Sequence, residues 1–91
     1  MEQINNKVLR LFEECHKLSN TTVADVFFNY IPHCDTISLL IYPDGWKRGN
    51  KYILRNVIFS NKNFKEKSKE EILKDLDTLI LEIKTIEEDL K

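Results

Sequence analysis

In 91 residues the chain has two Gly and two Pro, so the residues that interrupt regular structure are scarce. That scarcity excludes a collagen-like or low-complexity chain and argues against disorder and against a loop-rich scaffold. Two Cys are too few for a disulfide framework. Cys15 and Cys34 are therefore expected as free thiols, with Cys15 packed on the apolar face of a helix. No apolar run approaches the ~20 residues that a membrane span needs. The start, Met1-Glu2-Gln3-Ile4-Asn5-Asn6, is acidic and polar, unlike a secretory signal, which predicts an intracellular location. No motif for catalysis or for a cofactor is present. The expectation is a non-enzymatic protein with no cofactor and no metal.

What the chain does have is enough apolar residue, 42%, for one modest core, and 32% charged residue for a soluble surface. Residues 1–91 read as one small domain. The net charge of −1 conceals a division. Residues 41–63 hold five basic side chains against one acidic, while the segments before and after are acidic.

The clearest pattern lies near the C-terminal end. Ile72, Leu76, Leu79, Ile83, Ile86 and Leu90 alternate steps of four and three, the spacing of one helix face. Ser68 followed by Glu71 is a capping box, which predicts a helix over about 68–90. Ile4, Val8, Leu11, Cys15 and Leu18 repeat the spacing and predict a helix over about 2–18, ended by Ser19-Asn20-Thr21-Thr22. Val23 to Ile31 reads as a strand, with Ala24, Val26, Phe28 and Tyr30 on the core face. Pro32-His33-Cys34-Asp35 reads as a turn. Thr36 to Tyr42 alternates as a half-buried strand, with Ile37, Leu39 and Ile41 inward. Tyr42-Pro43-Asp44-Gly45 is a turn signal. It predicts a hairpin whose returning strand spans about 46–59, with Trp46 opposite or diagonal to Tyr42, a break at Gly49-Asn50, and an unassigned facing around Arg55-Asn56. Asn61 to Lys67 reads as a polar linker. The expected fold is α+β: a two-layer α-β-β-β-α domain, with two helices on one face of a three-stranded antiparallel meander.

Four groups of residues are candidate sites. The first is the C-terminal helix stripe. Its g positions are Asp75, Glu82 and Asp89, and its e positions Leu73, Ile80 and Glu87 supply no base, so a parallel homodimer would lack cross-helix pairs. Cover by the protein's own sheet is expected. Leu73, Ile80 and Leu81 form a second apolar edge that leaves monomer and homodimer both open. The second group is Trp46, Lys47, Arg48, Lys51, Tyr52 and Arg55. Basic and aromatic side chains together suit an acidic protein surface, since Trp, Tyr and Arg anchor interfaces. They also suit nucleic acid, through phosphate contact and base stacking. The third is Cys15-His16 with His33-Cys34. Adjacent helical residues diverge by about 100°, and structural zinc ligands are spaced two or more residues apart; neither a metal site nor a Cys-His catalytic pair is expected. The fourth is the acidic end of the last helix, Glu87, Glu88 and Asp89. Acids are mildly unfavourable there, so they read as a surface for a basic partner.

The N-terminal helix ending in Leu18-Ser19, the strand Ile37 to Tyr42 closing on Asp44-Gly45-Trp46, and the capped acidic helix resemble small accessory proteins of bacterial phages and other mobile elements. Some of these are similar to anti-CRISPR and other anti-defence inhibitors. The resemblance spans most of the chain. It implies the cytoplasm of a bacterial host and a host protein or protein complex as partner, blocked by surface occlusion. The alternative is a nucleic-acid-binding or transcription-linked module using the basic 46–55 segment.

Overall fold

The computed structural model describes residues 2–31, 36–58 and 68–90. In chain order they form α1 (Glu2–Thr21), β1 (Asp25–Ile31), β2 (Thr36–Tyr42), β3 (Ile53–Ile58) and α2 (Lys69–Leu90). The fold is the α+β arrangement that the spacing predicts. The expected turn at Pro32 to Asp35, the end of the third strand at Phe59 and the linker Asn61 to Lys67 lie outside the described residues.

α1 runs past the predicted stop at Leu18, and the hydroxyls expected to end it extend it instead. Thr21 Oγ1 lies 2.8 Å from the Lys17 carbonyl and Thr22 Oγ1 donates to the Leu18 carbonyl at 2.7 Å. The Leu18 carbonyl also accepts from the Thr22 amide at 3.2 Å, so the Thr22 hydroxyl is a second donor to it at the helix end. Thr22 and Ser19 then serve the next element: their hydroxyl oxygens accept from the amides of Ala24 and Val26. β1 starts only at Asp25, not at Val23.

The strand order is β1-β2-β3, antiparallel throughout. Ile37, Leu39 and Ile41 of β2 are fully buried. The register sets Val26, Phe28 and Tyr30 beside them on one flank, and Ile53, Arg55 and Val57 on the other. Both helices cover this face. Leu11 and Leu18 of α1 and Ile72, Leu76 and Ile83 of α2 bury completely against it. Each such aliphatic side chain contributes about 1.5–3 kcal/mol by leaving water. The long stripe of α2 is thus covered by its own chain.

Three strands between two helices is an odd number, so α1 and α2 run parallel. Lys7 meets Asp77 at 2.6 Å and Lys17 meets Glu87 at 3.6 Å, the same step along both helices. Ser68 caps α2: its hydroxyl accepts from the Glu71 amide at 3.2 Å and donates to the Glu71 carboxylate at 3.3 Å. Among the described residues no helix is long and apolar enough to cross a membrane.

Candidate binding surface

The predicted hairpin opens into a longer loop. Tyr42 to Gly45 does turn: the Gly45 amide donates to the Tyr42 carbonyl at 3.0 Å, and Gly45 sits at φ +87°. The chain does not then return along β2. The Trp46 amide is drawn across to the carboxylate of Asp25 at 2.7 Å, and the Asn50 side chain donates to the Gly45 carbonyl at 2.9 Å. A second turn closes where the Asn50 amide meets the Lys47 carbonyl, beside Gly49 at φ +92°. Pairing resumes at Ile53, opposite Ile41. The strand expected from residue 46 is therefore a loop over residues 43–52, and Trp46 stands in it instead of opposite Tyr42.

This loop gathers most of the basic-aromatic candidates. Trp46, Lys47, Arg48 and Tyr52 line one groove of about 550 Å³ with Gly49, Asn50 and Tyr42. Lys51 is exposed in the same loop. None of Lys47, Arg48 and Lys51 has a carboxylate partner among the described residues; Lys7, Arg10, Lys17 and Arg55 are each paired, while Lys69, Lys74 and Lys84 on α2 are in none of these ion pairs. Tyr42 was not singled out by sequence. Its ring contacts Tyr52 at 5.7 Å and Phe27 at 6.0 Å, edge-on, which joins the loop to the sheet.

Arg55 does not belong to this group. The register turns it to the helix-covered face, between Ile53 and Val57. There its Nε and Nη2 donate to both oxygens of Glu82 at 3.0 and 2.9 Å. The carboxylate raises the guanidinium pKa further above its ordinary value, by hydrogen bonding first and by charge second. An arginine is tolerated on that face because β3 is an edge strand and α2 supplies the carboxylate.

The sheet's other face has no cover among the described residues. Phe27, Leu40 and Leu54 lie in direct register across all three strands of it. Phe27 is 43% exposed and Leu54 50%, with Tyr52 at 59% and Trp46 at 62% beside them. The next row, Asn29, Ser38 and Asn56, is polar. The result is an apolar strip continuous with a basic, aromatic loop. The signal was present in the sequence: two helices cover one face of a sheet, and the strand alternation puts Phe27, Leu40 and Leu54 on the other.

Two other candidate groups are redistributed. Glu87 is buried, at 6% exposure. Its carboxylate accepts from the Thr21 hydroxyl at 2.9 Å and pairs with Lys17, so it joins the helix ends and is not open to a partner. Glu88 and Asp89 are exposed. The apolar edge of Leu73, Ile80 and Leu81 does not form. Ile80 is buried, Leu73 packs half-buried on the core, and Leu81 alone of the three is exposed, because the e positions widen the stripe towards α1, where Glu87 also meets Thr21 and Lys17.

Cys15 is buried, and its thiol is pushed up to about 12, by desolvation first and by the charge of Glu14 second. It packs in the core cluster with Leu11 and Leu18. His16 lies on the exposed side, stacked on Phe12 and in contact with Asn20. His33 and Cys34 fall outside the described residues, within which no three His, Cys, Asp or Glu converge as metal ligands.

No protein-family model, curated protein or solved structure matches this chain.

Proposed function

We propose that this chain is a non-enzymatic protein-binding domain that docks its partner on the uncovered sheet face and the adjoining loop. The observation that carries the reading is the Phe27–Leu40–Leu54 row, with Phe27 and Leu54 exposed and Leu40 half-buried between them, on a face that neither helix covers and continuous with Trp46 and Tyr52. A contiguous apolar patch rimmed by polar residues marks an interaction surface. Trp, Tyr and Arg are the residues that anchor such surfaces. A flat face of this kind suits an inhibitor that works by occlusion, because it needs neither a moving part nor a reacting group. That is the role implied by the resemblance to mobile-element accessory proteins, with a host defence complex as the target.

The test is quantitative capture of the partner from the native bacterial host by variants that keep the fold. Leu54→Lys and Trp46→Ala should each lower capture at least tenfold. Reversal of the helix-end charges, Glu88→Lys with Asp89→Lys, should not. Equal capture by all of them would remove the surface named here.

A second reading is favoured by one observation: Lys47, Arg48 and Lys51 stand without carboxylate partners among the described residues, beside Trp46 and Tyr52. Cations next to aromatic rings can hold a single nucleic-acid strand. This reading predicts retention of an oligonucleotide that falls steeply with salt.

A further inference from the structure

We infer that the partner's docking element is an acidic-apolar protein segment laid along the strands, with its apolar side chains on the Phe27–Leu40–Leu54 row and its carboxylates at the loop end. The inference rests on the protein-binding reading above and adds the chemistry and the direction of what is bound.

Three observations carry it. The first is charge. The loop presents Lys47, Arg48 and Lys51 with no carboxylate partner among the described residues. Among the described residues the acids at this end are Asp25, engaged by the Trp46 amide at 2.7 Å, and the exposed Asp44 of the turn, so the three cations are in excess. Complementary charge from outside is what this end lacks.

The second is order along the strands. The loop end has Tyr42 and Tyr52, the next row is Phe27, Leu40 and Leu54, and the row beyond is Asn29, Ser38 and Asn56. Successive rows on one face are about 6.6 Å apart. From the cationic loop the face therefore runs through an aromatic, an apolar and an amide-bearing row within roughly 13 Å, then to Ile31 and Thr36, so the loop end alone is cationic among these rows. A bound segment must match that sequence in one direction only.

The third separates protein from nucleic acid. A stacking platform needs rings with free faces. Here the Phe27 and Tyr42 rings meet edge-on at 85° and the Tyr42 and Tyr52 rings are tilted by 49°, so these three pack on one another and Trp46, 62% exposed, is left to carry the stacking. Two of the three residues in the central row are leucines, which offer bases nothing to stack on but suit apolar side chains.

The experiment is selection of a random 12-residue peptide library on the immobilised chain, with oligo(dT) of matched length as the nucleic-acid probe. The expected result is enrichment of sequences in which Asp or Glu lies to one side of two or more large apolar residues. Their binding should weaken at least tenfold in the double variant Lys47→Glu, Arg48→Glu, and selection on that variant should enrich Lys or Arg instead. Both positions are exposed, so the double variant keeps the fold; its melting curve checks this. Leu54→Lys should enrich nothing. Apolar peptides without acidic bias, lost on Leu54→Lys but indifferent to the loop variant, would overturn the inference and leave the protein-binding reading standing. Retention of oligo(dT) with no peptide enriched would overturn both. So would the absence of binding by either probe.

Discussion

The hydroxyl of Thr21, in the last turn of α1, donates to the carboxylate of Glu87, in the last turn of α2, at 2.9 Å. The contact follows from topology. Helices joined through three antiparallel strands must run parallel, so their C-terminal ends lie side by side. An acid at a helix C-terminus is mildly unfavourable towards its own dipole. Here it is retained because Thr21 and Lys17 of the neighbouring helix both reach it.

Glu87→Ala should therefore destabilise the fold by roughly 0.5–1.5 kcal/mol, because it removes the partner of the Thr21 hydroxyl and of Lys17, both of which can still reach water. Glu87→Gln keeps an acceptor for Thr21 and should cost less. Urea midpoints for both variants and the parent chain check this. Equal midpoints in all three would show that the contact contributes nothing.

Cys15 gives the stability a dependence on pH. The folded thiol titrates at about 12 instead of its ordinary 9.0, because burial disfavours the thiolate. Between those values the unfolded chain has lost the proton and the folded chain keeps it. The unfolded state then binds fewer protons, so stability falls as pH rises through this window, by at most about 1.4 kcal/mol per unit. Cys15→Ala removes this slope and leaves a constant cavity cost. Denaturation of both chains at pH 7.5 to 10.5 should show curves that converge as pH rises. Parallel curves would show that the thiol is not held neutral.

Gly45 controls where Trp46 stands. Its φ of +87° is disfavoured for other residues, and a Cβ there would lie 3.0 Å from the Val23 carbonyl oxygen. Backbone cannot yield as a flexible side chain does. Gly45→Ala should cost about 1–3 kcal/mol and release the Trp46 amide from Asp25. Trp46 is the chain's one tryptophan, so its emission reports the loop directly. An unchanged spectrum and melting temperature would show that the turn tolerates the methyl group.

The helices and β2 could be read from the sequence because their apolar residues repeat at the period of the element that carries them. Ile72 to Leu90 has that regularity, and so does Ile37 to Ile41. What could not be read depends on contacts between distant residues. The late start of β3 follows from the Trp46 amide reaching Asp25 at the start of β1. The facing of Arg55 depends on Glu82, supplied by a helix beyond the next segment of chain. Glu87 looked like a surface acid because the parallel packing that buries it belongs to the whole topology and to no local pattern. The uncovered face was implied by alternation, but only the observed register brings Phe27, Leu40 and Leu54 into one row.

The pairing of α1 with α2 also bears on how the chain acquires its structure. Lys7 and Asp77 are partners separated by most of the polypeptide, and Leu11 and Leu18 are sealed beneath a helix made last. Closing so long a loop is entropically costly and is compensated only when the final element arrives. Until α2 is available to cover them, Leu11, Leu18 and the inner face of β2 stay in contact with water, so assembly is close to all-or-none.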